Sequence, residues 1–171
     1  MYLAGLIADD AKMTKADLQT WVTQALSNNI SDYTVPWVAA GSPYGFELAL
    51  DWIKSPEEHI AASGWATLSN LVSLKPDSEL NLPALRALLK TVEQTVHQSQ
   101  NRVRNAMNGF LITTGSYVQP LAEEVIAAAK RIGPIMVDKG DTACKVPYAV
   151  DYITKAQSKG SLGKKKKMVK C

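Results

Sequence analysis

Cysteine is nearly absent: Cys144 and Cys171 are the two in the chain. No histidine lies near either in sequence, so neither a disulfide framework nor a metal-ligand spacing can be built around them, and both read as plain thiols. A terminal cysteine with nothing after it also fails the prenylation signal, which needs three further residues. Histidine is equally scarce. His59 and His97 stand alone and read as helix-surface residues, and no Ser-His-Asp or Cys-His grouping can be argued from residue order. Phosphate-cradling glycine loops, zinc spacings and nucleophile elbows are missing, so no cofactor is expected. No apolar run approaches the roughly 18 residues a membrane span needs, and the start lacks the cationic stretch and apolar core of a secretion signal. A cytoplasmic protein with no membrane partner is expected. Alternating β-branched runs are absent too, which removes the signal for strands.

Apolar residues at helical spacing are plentiful. With 46% hydrophobic and 20% charged residues in 171, the chain has the composition of one globular domain large enough to bury a core. The opening Tyr2 to Ala8 is apolar on nearly every side and has no capping residue, and it looks like the back half of something longer, so N-terminal helices preceding it are expected. Thr14-Lys15-Ala16-Asp17 is a capping box with the shorter acid. Ser31 is expected to cap a short helix through Ala40. Ser42-Pro43 and Ser55-Pro56 predict N-caps followed by proline in the first turn, the second completed by Glu58. Pro83 opens another helix, Gly115 and Pro120 bound the next start, and a last helix is predicted from about Lys145 to Lys159. Helix-pair starts at Pro43, Pro83 and Pro120 are 40 and 37 residues apart, the spacing of a two-helix repeat. The predicted fold is all-α, a HEAT-like α-solenoid of stacked antiparallel helix pairs over residues 1–159, with an irregular helical bundle as the alternative.

Charge is divided along the chain. Residues 1–81 carry four Lys+Arg against ten Asp+Glu, a balance of −6, whereas residues 82–171 carry fifteen against six, a balance of +9. Near the join, Val103, Met107, Phe110 and Leu111 form an apolar stripe, with Arg102 and Asn105 at its edge and Arg104 and Asn108 opposite. That helix can pack on one side and present cations and amides on the other. Residues 160–171 read as a flexible basic tail, and the last 17 residues hold seven Lys and no acid. At the positive end of a polarised molecule, attraction to phosphate is the favoured reading. Aromatic rings spread over successive helices add surfaces on which bases can stack. Tyr33 and Trp37, four residues apart, share a helix face and form the best candidate site.

Several stretches together resemble the AlkD-type DNA alkylation repair family. They are Tyr33-Thr34-Val35-Pro36-Trp37, Asp51-Trp52-Ile53-Lys54-Ser55, Val103 to Phe110, and above all Gly140-Asp141-Thr142-Ala143-Cys144-Lys145-Val146-Pro147 followed by Gly163 and Lys164 to Lys167. The likeness runs from about residue 14 to the end. It implies a HEAT-like cradle whose basic concave face holds duplex DNA. Arg102, Arg104, Lys145, Lys164, Lys165, Lys166 and Lys167 would then lie on phosphates, and Tyr33, Trp37 and Phe110 would face the lesion or the DNA. Classical members excise cationic N3- and N7-alkylated purines, using an Asp that stabilises the developing sugar cation. Their Trp-Asp-Leu-Val-Asp motif, laid on Tyr33 to Trp37, puts that Asp on Trp37, and the family's Arg pair falls on Ala61 and Ala62. The catalytic residue is therefore unassigned, with Asp32 and Asp51 the nearest carboxylates. The resemblance leaves two expectations open. One is a monomeric repair protein that binds duplex DNA and acts as an alkylpurine glycosylase; the other is a non-catalytic DNA-binding or protein-interaction scaffold.

Overall fold

The computed structural model describes residues 1–170; the terminal Cys171 lies outside them. Nine α-helices follow one another: α1 Tyr2–Ile7, α2 Lys15–Gln24, α3 Val35–Gly41, α4 Gly45–Trp52, α5 Glu58–Leu74, α6 Leu82–Thr95, α7 Asn101–Tyr117, α8 Ala122–Ile132 and α9 Ala149–Ser158. No strand occurs among the described residues, and no helix there is long and apolar enough to cross a membrane.

Local chemistry accounts for several of the helix starts. Thr14 Oγ1 accepts from Asp17 N at 3.1 Å while Asp17 Oδ2 accepts from Thr14 N, the reciprocal box expected of this sequence. The Thr14 hydroxyl, which donates to Asp17 Oδ2 at 2.6 Å, and then the Thr14 N–H hold the Asp17 carboxyl below its ordinary range. Asn81 Oδ1 accepts from Ala84 N at 3.0 Å, so α6 opens with Pro83 in its first turn. The two Ser-Pro pairs act differently from expectation. Ser42 Oγ accepts from Tyr44 N and Ser55 Oγ from Glu57 N, so each makes a turn two residues long, and the helices begin later, at Gly45 and Glu58. Glu58 does not close a box on Ser55; its Oε1 accepts from Arg102 N at 2.8 Å and so satisfies the start of α7.

The main core runs through α4 to α9, with α5 packed along α7 and the rings of Trp65 and Phe110 at 5.3 Å at the centre of that contact. A smaller cluster joins α2, α3, α4 and α5 around Leu18, Val22, Val38 and Trp52. Two ion pairs tie α6 to α8: Arg86 to Glu124 at 2.8 Å and Arg131 to Glu93 at 2.5 Å, with 38 residues between partners in both cases. The charge order is reversed between them, and the pairs are two helical turns apart on each helix. Adjacent helix pairs thus stack one repeat apart, in register, as the proline spacing predicts for a HEAT-like array.

Three expectations are corrected. Gly115 does not bound a helix but lies inside α7, where Ile153 of α9 rests on it; a Cβ there would meet Ile153 Cδ1 at 2.4 Å. Lys145 is not helical. Residues 133–148 contain no regular structure, because Gly133 and Gly140 adopt φ of 74° and 62° and Pro147 disfavours helix before it, so α9 starts only at Ala149. The tail is not free. Gly163 N donates to Ser116 O at 2.9 Å and Lys166 N to Ser73 O at 2.8 Å. Lys165 Nζ lies 2.8 Å from Asp77 Oδ1, and Lys170 Nζ lies 2.6 Å from Asp10 Oδ1. The tail crosses the C-terminal ends of α7 and α5 and ends against the N-terminal segment.

Two glycines in long helices should respond oppositely to alanine. A Cβ on Gly64 would stand 2.8 Å from Ile53 N and 3.0 Å from Ala49 O, which are backbone atoms, whereas Gly109 has nothing within 4 Å. Gly64→Ala is expected to lose about 1–3 kcal/mol by overpacking, and Gly109→Ala to gain about 0.5–1 kcal/mol, read as urea midpoints. The α6–α8 ion pairs predict an acid response. Hydrogen bonds from Arg131 and Arg86 hold the Glu93 and Glu124 carboxyls below their ordinary range. Their stabilisation is therefore present above the unfolded carboxyl pKa and lost as pH falls through the lower folded one. Glu93→Gln with Glu124→Gln should flatten the fall in melting temperature between neutral pH and about pH 3.

Candidate nucleic-acid interface

α7 supplies the face on which a site can be built. Asn101, Asn105 and Asn108 recur at i, i+4 and i+7, and all three amides are turned to the irregular segment that follows α8. Asn101 Oδ1 accepts from Asp138 N at 2.7 Å and its Nδ2 donates to Asp138 O at 2.8 Å. Asn105 Oδ1 accepts from Lys139 Nζ at 2.8 Å, and Asn108 Nδ2 donates to Pro147 O at 2.9 Å. This amide ladder replaces the ladder bonds the segment lacks and straps it across the helix. Arg104 belongs to the same face and is half-buried, with its Nε shielded from solvent and without a hydrogen-bond partner. Lys145, on the strap, is exposed.

The other wall is a π turn at Ile30–Thr34, closed by Val35 N–H bonding back to Ile30 O. It buries Ser31 and Thr34 and turns Tyr33 outward at 55% exposure. Ser31, expected as a helix cap, instead accepts a hydrogen bond from Arg102 Nη2, while Ser63 Oγ donates to its carbonyl at 2.6 Å. Arg102 Nη2 also donates to Asp32 Oδ1 at 2.7 Å, with both side chains mostly buried. Between these walls lies a cleft of about 360 Å³ lined by Asn28, Asp32, Asn101, Arg102, Asn105 and Lys139, among others.

The charges in this cleft decide what it can do. Arg102 and Lys139 are matched by Asp32 and Asp138, so the cleft itself is close to neutral. An anion entering it would meet hydrogen-bond donors but little net field. Outside it, neither Arg104 of α7 nor Lys145 of the strap has an ion-pair partner among the described residues. The cations within the cleft thus have carboxylates beside them, and those without an ion-pair partner, Arg104 and Lys145, are outside its lining.

The three rings divide as well. Tyr33 and Trp37 are neighbours, with centroids 6.2 Å apart, but Trp37 is 5% exposed and has Tyr2 on its other side at 6.0 Å. Phe110 is fully buried against Trp65. Tyr33 alone of the three presents a ring to solvent; Phe110 and Trp37 are core residues because their helix faces pack inward. Of the tail lysines, Lys165 is bound to Asp77, whereas Lys164, Lys166 and Lys167 are exposed. Asp32 is held by Arg102, and Asp51 lies 3.6 Å from Lys54 on the surface, so neither carboxylate stands unneutralised over a cavity. His97 Nε2 bonds to Ile132 O and His59 Nε2 to Thr23 O, both structural. Among the described residues no three His, Cys, Asp or Glu side chains cluster to hold a metal ion. Sequence reading missed Lys139 and the ladder role of Asn101; the i, i+4, i+7 asparagines were the available signal.

With this geometry in place, comparison with known proteins defines the class. Residues 1–153 match the family described as DNA alkylation repair enzyme, and the chain belongs to that family. It is similar to the uncharacterized proteins Lin0241 of Listeria innocua and Lmo0209 of Listeria monocytogenes. Each is 34% identical over 161 residues, covering 93% of this chain and 68% of the relative. It is also similar to a solved structure described as "a new family of proteins related to the HEAT-like repeat DNA glycosylases with affinity for branched DNA structures". That likeness has a TM-score of 0.93 at 32% identity and covers all of this chain and 73% of the other.

The ladder makes its own prediction. Asn101→Ala removes both bonds to Asp138, each worth about 0.5–1.5 kcal/mol net. The Asp138 amide should then exchange with solvent about tenfold faster or more, with the α5–α7 amides little changed. Unaltered Asp138 protection would mean the strap is held by something else.

Proposed function

We propose that this chain is a binding module for branched duplex DNA, acting as a monomer in the cytoplasm, and that it does not excise bases. What carries the reading is the whole-chain likeness to a protein with affinity for branched DNA structures, at an identity high enough to compare residues. The charge layout supports it: Lys139 and Arg102 offer oriented donors within the cleft, Arg104 on the same helix and Lys145 on the strap are cations without ion-pair partners, and Tyr33 supplies an exposed ring. Absence of excision follows from the carboxylates. Stabilising a sugar cation needs an anion aimed at it in a site of low dielectric. Asp32 already faces a guanidinium at 2.7 Å, which cancels most of its field beyond that partner, and the family position for that acid holds buried Trp37.

Electrophoretic mobility shift with a four-way junction and a linear duplex of equal length tests both parts. The junction should bind at least tenfold tighter, with affinity falling steeply as salt rises. Equal affinity for both DNAs, or binding to neither, overturns the reading. On methylated DNA, free N7-methylguanine should not exceed spontaneous release; release that disappears in Asp32→Asn would make the protein a glycosylase instead.

A further inference from the structure

At the opposite end of α7 from Arg102, a groove of about 440 Å³ lies between the last turns of α7, α9 and the returning tail. Lys155 and Lys159 come from α9, Lys164 and Lys166 from the tail, and Tyr117 and Tyr152 contribute rings; no acidic residue lines it. All four lysines are exposed, and none has a carboxylate partner among the described residues. Lys166 Nζ sits 5.7 Å from the Tyr117 ring centroid, and Tyr152 is 54% exposed. Burial pushes the Tyr117 phenol above its ordinary range.

The simplest reading of such lysines is a solvated terminus, and the docking of the tail argues against it. In extended chain, neighbouring side chains point to opposite sides. Lys165 accordingly turns inward to Val72 O and Asp77, leaving Lys164 and Lys166 facing the groove. Asp77 and Asp10 therefore neutralise the lysines that hold the tail down, and the groove lysines remain unneutralised. Fixing like charges together works against folding unless an anion joins them. A free tail would have kept them apart.

We propose that this groove is a second DNA-backbone site, where the four lysines take consecutive phosphates of one strand and Tyr152 lies against a sugar or an unpaired base. This rests on the reading of the chain as a branched-DNA binder, and assigns the groove to a different arm from the one at the α7 N-terminus. Fifteen residues of helix separate Arg102 from Tyr117, about 22 Å at 1.5 Å per residue. At about 3.4 Å per phosphate along a strand that is roughly six phosphates, so the two sites are far enough apart to hold different stretches of backbone.

The test uses the full chain with Lys155, Lys159, Lys164 and Lys166 all changed to Gln. A control of equal charge carries Lys12→Gln, Lys15→Gln, Lys90→Gln and Lys130→Gln, exposed positions outside the groove lining. Neither variant should melt below the wild type, and relief of like-charge repulsion should leave the groove variant at or above it. The groove variant should lose about 30-fold or more in junction affinity at low salt, and its slope of log affinity against log salt should be shallower by about three. Its loss on linear duplex should be several-fold smaller, and the control should stay within threefold of wild type. Junction binding by the groove variant within threefold of the control overturns the inference and leaves the proposed function standing. Equal loss on junction and duplex overturns the assignment to a second arm. Displacement of the junction by poly-glutamate as readily as by single-stranded DNA overturns it too. Failure of the wild type to bind either DNA overturns the proposed function itself.

Discussion

The close packing of α5 on α7 is the constraint on which the rest depends. Gly64 lets α5 approach the end of α4, Trp65 and Phe110 fill the centre of its contact with α7, and Glu58 at the start of α5 accepts the Arg102 amide at the start of α7. The two helix origins are thereby locked together. Because Ser63 of α5 also holds the carbonyl of Ser31, the π turn is fixed to the same element. Arg102 and Asp32 meet at 2.7 Å because both are mounted on α5, one through α7 and one through the π turn. Nothing in residue order brings positions 70 apart together; the shared packing surface does.

That arrangement also decides what the position of Trp37 can hold. In the π turn the wide ring of backbone buries Ser31 and Thr34 and turns Tyr33 outward, and the position four residues on carries an indole inside the core. A carboxylate at that place would be buried among Tyr2 and Tyr33 without a cation, at a cost of several kcal/mol. The nearest acid that survives, Asp32, exists as half of an ion pair, which is how a mostly buried carboxylate is tolerated. Because the cations of the cleft have carboxylates beside them, it offers directed hydrogen-bond donors more than a net field.

Much of the fold was legible because helical periodicity and punctuation are local. The Thr14 box, the Pro83 start and the spacing near 38 residues between helix pairs all follow from short stretches. The Ser-Pro pairs misled because a proline directly after serine suits a turn as well as a first helical turn. The site was less legible for a different reason. Phe110 and Trp37 were placed by type, as rings that could stack, but orientation depends on which face of α7 or α3 meets a neighbour, and that is tertiary. Asn108 read as a solvent-facing amide, whereas it holds Pro147 from a segment with no periodicity of its own. The tail read as flexible on composition alone. Its anchors are Asp77 and Asp10, acids from the negative half of the chain, and their partnership with Lys165 and Lys170 has no local signature.

The division of charge takes its meaning from those two anchors. A chain whose first half is acidic and second half basic could fold with the halves neutralising each other throughout. Here only selected pairs form across the divide, among them Asp32 with Arg102, Asp77 with Lys165 and Asp10 with Lys170, and each fixes a segment rather than quenching a surface. Among the cations left without an ion-pair partner are Arg104 on α7, Lys145 on the strap and the four groove lysines at the C-terminal end of α7. Surface ion pairs contribute little to stability, so neutralising those cations with further acids would have gained the fold little. On the proposed reading, leaving them unpaired keeps cationic surface open at more than one place for the phosphates of a branched polyanion.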